Sequence, residues 1–146
     1  MENVSVSTRP GWFRIAGILF LLWNLFGCYM FWSQHSMTPE QIAALPAGQQ
    51  QVWNAMPAWM WVVYGVAVFS GALGALMLLM DKRAAWPLFV VSLVAVLVQF
   101  AQAFLPGGAV QVLGAGAALP MPAVIAAVAV LEVWVARRAI ARGWIA

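Results

Sequence analysis

The stretch Ala58–Arg83, AWMWVVYGVAVFSGALGALMLLMDKR, holds no charged residue before Asp81 and then meets Lys82 and Arg83 in succession. A bilayer core takes about 20 apolar residues per helical crossing. Ala58 to Met80 therefore reads as one membrane span closed by a basic turn. Three runs of the same kind flank it: Gly11 to Trp32, Ala84 to Leu105, and roughly Leu119 to Ile140. The expected fold is all-α, a polytopic membrane protein with a four-transmembrane-helix bundle, forming a single membrane domain over residues 1–146.

Composition agrees. Of 146 residues, 65% are apolar and 8% charged, and the mean hydropathy is +0.91. An ordinary soluble domain is about half apolar and about a quarter charged. So few charges could not cover a soluble surface, which excludes a soluble enzyme, a disordered tail and a nucleic-acid-binding domain. The single cysteine, Cys28, excludes an intrachain disulfide, and the single histidine, His35, removes most ligand and general-base chemistry. The first apolar run is too long and too aromatic for a cleaved export signal.

The cations give the orientation. With four crossings, Arg9, Arg14, Lys82, Arg83, Arg137, Arg138 and Arg142 all fall on one side, while the loops near Ser33 to Pro57 and Pro106 to Ala118 carry no Lys or Arg. Short basic loops stay in the cytoplasm, so both termini are expected there, in a bacterial inner membrane. Asn3-Val4-Ser5 then matches a glycosylation sequon by chance. Trp12, Trp86, Trp134 and Trp144 are expected at the cytoplasmic headgroups, and Trp32, Trp53, Trp59 and Trp61 at the outer ones, where an indole satisfies both its apolar body and its N–H. Trp23 falls mid-span and reads as a buried packing residue.

The first outer loop has helical punctuation. Thr38 suits an N-cap, Pro39 the first helical position, and Gln41 completes a capping box. Pro46 ends or restarts the helix before a further turn or two over Gln49 to Met56. Ile42, Leu45, Val52, Trp53 and Met56 give this segment apolar residues suited to the membrane surface, hence a short interfacial helix acting as a lid. The uncharged third loop, with Gly107, Gly108, Gly114 and Gly116, is either flexible or re-entrant between shielding helices.

Polar residues inside the spans need partners. Asn24 lies near the midplane on a stripe with Gly17, Leu21, Cys28, Phe31 and His35. Ser92, Gln99 and Gln102 share a face of the third span, and Ser70 lies at similar depth on the second. An amide facing lipid tails loses its hydrogen bonds at a cost of several kcal/mol, so these faces turn inward. They serve either as interhelical glue or as the wall of a polar, outward-opening cleft. Glu132 is the ionisable exception within the fourth run. It either pairs with a basic residue such as Arg14 or Arg137, the reading favoured here, or sits protonated in an apolar pocket, or serves as a proton or cation site. Ala67, Gly71, Gly74 and Ala75 place small residues at helix-contact spacing on the second span, and Ala123 and Ala127 do so on the fourth.

No catalytic motif, metal cluster or cofactor loop occurs, and no cofactor, metal or nucleic-acid partner is expected. His35 and Glu40 read as solvated loop residues. Leu22-Trp23-Asn24-x-x-Gly27, Met37-Thr38-Pro39-Glu40-Gln41, Met56-Pro57-Ala58-Trp59 and Gly71-Ala72-x-Gly74-Ala75 run through about the first two thirds of the chain. On these motifs it resembles a family of small four-helix bacterial inner-membrane proteins of unassigned function, sometimes labelled sugar transporters. The resemblance implies no catalytic residues. The expected role is a non-enzymatic accessory or interaction subunit, whose partners are the lipid bilayer and either another membrane protein or a second copy. The alternative is a small-solute transporter or permease component using Asn24, Gln99, Gln102 and Glu132. Four spans enclose little space, so a transport path is expected at a dimer interface.

Overall fold

The computed structural model describes residues 8–146, and the sequon at Asn3–Ser5 lies outside them. The described chain is helical: α1 (Gly11–His35), α2 (Pro39–Ala43), α3 (Ala47–Ala55), α4 (Ala58–Leu79), α5 (Ala85–Ala103), α6 (Ala109–Leu113), α7 (Ala115–Ala118) and α8 (Pro120–Ala141). Of these, α1, α4 and α5 are long and apolar enough to cross a bilayer. The fourth expected span corresponds to α8, as long as α4 but interrupted by Glu132, Arg137 and Arg138.

Proline starts most of these helices. Pro10, Pro46 and Pro57 stand at the N-caps of α1, α3 and α4 with ψ of 148°, 146° and 147°. The ring fixes φ for the turn, and the missing N–H is one that a helix start leaves unpaired anyway. In the first loop Thr38 and Gln41 form the reciprocal capping box: the Gln41 amide donates to Thr38 Oγ1 at 3.3 Å and the Thr38 amide donates to Gln41 Oε1 at 2.9 Å. The third loop is structured, with α6 and α7 in place of a flexible strap, and α6 rests on α3.

Both α4 and α8 end in paired 6→1 and 5→2 hydrogen bonds around a left-handed residue. After α4, Lys82 N donates to Met77 O at 2.8 Å and Asp81 N to Leu78 O at 3.2 Å, with Asp81 at φ 62°. After α8, Trp144 N donates to Ala139 O at 2.9 Å and Gly143 N to Ile140 O at 3.1 Å, with Gly143 at φ 69°. The reversal at Gly143 brings residues 144–146 back onto the basic turn. There Arg83 N donates to Ala146 O and Ala146 N to Asp81 O, both at 2.9 Å. Arg9 completes the knot, donating to Asp81 Oδ1 at 2.6 Å and to Trp144 O at 2.8 Å. Trp144 lies at this end and is buried, edge-on to Trp12 and Phe13 at 5.7 and 5.5 Å.

The long helices pack chiefly as α1 on α4, α4 on α5 and α5 on α8, and α1 meets α8 through side chains at the Phe13–Val135 core and at the Asn24–Glu132 bond. The main core sits at the end carrying Lys82 and Arg83, called the basic end below. It joins Phe13 and Phe20 of α1, Leu78 of α4, Phe89 of α5, Val135 and Ala139 of α8, and Trp144 with Ile145. Towards the far end only a small second cluster, Ala67, Ala95 and Val96, is fully buried. The bundle is closed at one end and opens towards the other.

Candidate functional site

The small residues of α4 let its neighbours come close. Ala67, Gly71, Gly74 and Ala75 are all buried within the bundle. A Cβ on Gly71 would stand 2.8 Å from Asn24 Cγ of α1 and 3.1 Å from Ser92 Oγ of α5. One on Gly74 would stand 2.9 Å from Phe89 Cδ1. This expected contact face thus holds the chain's own helices together, whereas Ala123 and Ala127 of α8 are exposed.

Asn24 is buried above that face, and its amide nitrogen donates twice, to Phe20 O at 2.8 Å and to Glu132 Oε1 at 2.5 Å. Glu132 is 2% exposed. The expected partners Arg14 and Arg137 are both exposed, which corrects the ion-pair reading. Five residues along an α-helix turn the direction by about 140°, so Arg137 points away from the side that Glu132 shares with Asn24. Ser92 Oγ donates to Ala67 O of α4 at 2.7 Å. Ser70 turns to its own helix, donating to Val66 O and, at 3.5 Å, to Ala67 O, so it belongs to neither glue nor cleft. Cys28 Sγ lies 3.6 Å from Val68 O.

Above the Asn24–Glu132 bridge, between α1 and α8, lies a cavity of about 500 Å³. Asn24, Ser92, Gln99, Gln102 and Glu132 all line it, with Gln34 and Tyr64. Glu132 is the only carboxylate among the lining residues, which include no Lys, Arg or His. Its second oxygen makes no hydrogen bond, and among the described residues no fully sealed polar side-chain atom lacks a partner. That oxygen therefore faces the cavity. The remaining walls are apolar, among them Met30, Met60, Val96, Phe100, Ile125 and Ala129. Trp23, expected as packing, is half-buried and lines the same space. Phe26 of α1 and Met121 of α8 line the cavity while 57% and 62% exposed, so the mouth runs between these two helices. The space forms within one chain.

Three lining elements were not foreseen. Val52 of α3 and Met56 at its C-cap, both suited by sequence to the membrane surface, roof the cavity with Ala55, Gly107, Gly108 and Ala109. The apolar spacing in that loop was visible, but not that it faced inward. Beside the roof, His35 stacks on Trp61 at 5.2 Å and 29°, and Trp53 meets the same ring at 5.1 Å. His35 is an aromatic neighbour here, separate from Glu40. Among the described residues no three His, Cys, Asp or Glu come together as a metal site. The arrangement can bind: it offers one half-satisfied carboxylate, several amides and a predominantly apolar chamber. Compared with family models, curated proteins and solved structures, the chain finds no match in any of the three.

Proposed function

We propose that this chain is a four-span integral protein of the bacterial inner membrane, with both termini cytoplasmic and α2–α3 as an outer lid. We further propose that it is a small-solute transporter or permease component and not an enzyme. The single observation that carries this is the 500 Å³ cavity with Glu132 at its base. A chamber of this size falls within the range of small-molecule sites, about 300–1,000 Å³, and its few convergent polar groups on apolar walls match their usual character. An ionisable residue at membrane depth facing a cavity is a functional candidate by default. Counting α8 as a span keeps all seven basic residues on one side, and Glu132 there faces the bundle interior, where membrane helices keep such groups. The resemblance of its motifs to those of small four-helix inner-membrane proteins is compatible with the same reading. The accessory-subunit role draws on the small-residue faces and the outer loop; of these, the α4 face is occupied by α1 and α5.

A thermal-shift screen of the purified protein against sugars, amino acids, amines and carboxylates tests this. A ligand that binds only the folded state raises the midpoint by mass action. At least one class should do so, and Ala129→Trp, which fills the chamber, should abolish the effect. A flat response to every class, with a second protein co-purifying in stoichiometric amount, would return the accessory reading.

A further inference from the structure

Resting on that reading, the geometry points to a hydrophobic amine as the ligand: one protonated nitrogen on an apolar body, received by Glu132. Glu132 has one oxygen bound by a neutral amide and the other open to the cavity. A carboxylate in this position favours a cationic N–H donor, because charge-assisted hydrogen bonds are the strong ones where water is excluded. An anion would meet that carboxylate with no Lys, Arg or His on the walls to compensate. A sugar presents hydroxyls on every face, and each one set against Met30, Val96 or Ile125 would lose its hydrogen bonds. Asn24 and Ser92 have no donor left to help, since each is already bonded within the bundle.

The rest of the chamber suits the apolar body. Trp23 and Phe100 line the same chamber, and aromatic rings attract a cation as well as hydrocarbon. The mouth between Phe26 and Met121 opens through a side of the bundle whose outward residues are large and apolar. A molecule that partitions into lipid can reach such an opening directly.

The test uses the whole chain in lipid nanodiscs with three probes of one shape: phenylbutylamine, phenylbutanol and phenylbutyrate. Equilibrium dialysis against empty nanodiscs reads specific binding. The amine should bind at least about tenfold more tightly than the alcohol, the scale of a hydrogen bond to a charged group. The butyrate should not bind above the empty discs. Glu132→Gln keeps an oxygen for Asn24 and should bring amine and alcohol within about threefold of each other. Ala129→Trp should lose both. A variant-free readout accompanies these: the amine, and not the alcohol, should slow modification of Glu132 by a hydrophobic carbodiimide, followed by intact mass. Equal binding of amine and alcohol, both lost in Ala129→Trp, leaves the binding chamber standing and overturns the amine. An amine preference that survives in Glu132→Gln, or no protection of Glu132, overturns it as well. If no probe binds but another class stabilises the protein in the thermal screen, the amine falls alone. If nothing binds in either experiment, the carrier reading falls with it.

Discussion

Asn24 and Glu132 lie 108 positions apart and meet at 2.5 Å, the Asn24 amide donating to Oε1 of the carboxylate. This bond joins α1 to α8 beyond the core at the basic end, to which both helices contribute. Asn24→Leu strands a buried carboxylate oxygen and should cost about 1–3 kcal/mol of stability. Glu132→Leu strands a donor and should cost a similar amount. The double variant should recover part of the sum, with a coupling of about 0.6–1.7 kcal/mol as in other membrane helix pairs. Reversible denaturation in bicelles gives the cycle, and strictly additive losses would mean that the bond contributes nothing.

Gly71 stands beneath that bond. Gly71→Ala would push a methyl to 2.8 Å from Asn24 Cγ and 3.1 Å from Ser92 Oγ, so α1 or α5 must shift. The expected loss is about 1–3 kcal/mol, the usual range for overpacking. Gly116→Ala is the matched control, because a Cβ there meets nothing within 4 Å. Thermal unfolding followed by near-UV dichroism should separate the two variants, and equal midpoints would count against close approach at Gly71.

Asp81 combines a left-handed backbone, φ 62°, with an ion pair to Arg9 at 2.6 Å. A non-glycine residue in that region carries strain of about 1 kcal/mol, and a half-exposed ion pair is worth at most about 1 kcal/mol. Asp81→Gly gives up the pair and relieves the strain, so it should be close to neutral. Asp81→Ala gives up the pair and keeps the strain, and should be less stable than Asp81→Gly by about 1 kcal/mol. The order of the two midpoints is the measurement, and the reverse order would contradict the strained turn.

Glu40, in the first turn of α2, has its carboxyl held below the ordinary value by its own backbone N–H and then by the Thr38 hydroxyl. A carboxylate whose folded pKa is depressed stabilises the fold fully above its unfolded value, near 4.5 here. That contribution fades as pH falls through the folded value. Amide-exchange protection of α2, corrected for intrinsic rates and taken relative to α4, should therefore decline between about pH 5 and about pH 3. In Glu40→Gln the decline should vanish, and a wild-type profile flat with pH would remove the carboxylate from the cap.

Membrane topology is read by fusion reporters. If α8 is the fourth span, every cation lies on one side, so a reporter after Ala146 should be active only in the cytoplasm and one inserted near Gly48, at the start of α3, only outside. If both reporters sat on the same side, α8 would not be the fourth span.

Much of the helical frame was legible because its signals are local. Apolar run length, the Pro57 start and the Lys82–Arg83 stop mark α4, and the Thr38–Gln41 spacing marks the capped turn of α2. The polar residues Asn24, Ser92, Gln99, Gln102 and Glu132 were visible as anomalies, since any amide or acid in an apolar run needs a reason. What could not be read was which of them meet. The partner of Glu132 depends on the rotation of α8 about its axis, and hydropathy constrains that weakly when lipid and core are equally apolar. The burial of Trp144 is hidden for a related reason: the reversal at Gly143 folds it back onto Trp12 and Phe13. Val52 and Met56 suited a membrane surface and a cavity roof equally well, and only the gap between α1 and α8 decides between them.

The knot at the basic end has a mechanical consequence. Arg9, Asp81, Trp144 and Ala146 tie the beginnings of α1 and α5 to the ends of α4 and α8, while the other ends of α1 and α8 stay apart. The two outer helices are therefore the arms of a pair of tongs, pivoted where the chain is most tightly laced. From Phe13 to Met30 the arm is about 25 Å long at the helical rise, so a tilt of about 5° widens the jaws by about 2 Å. The Asn24–Glu132 bond sits part-way along the arms as their clasp, and anything that engages the free oxygen of Glu132 also pulls on that clasp.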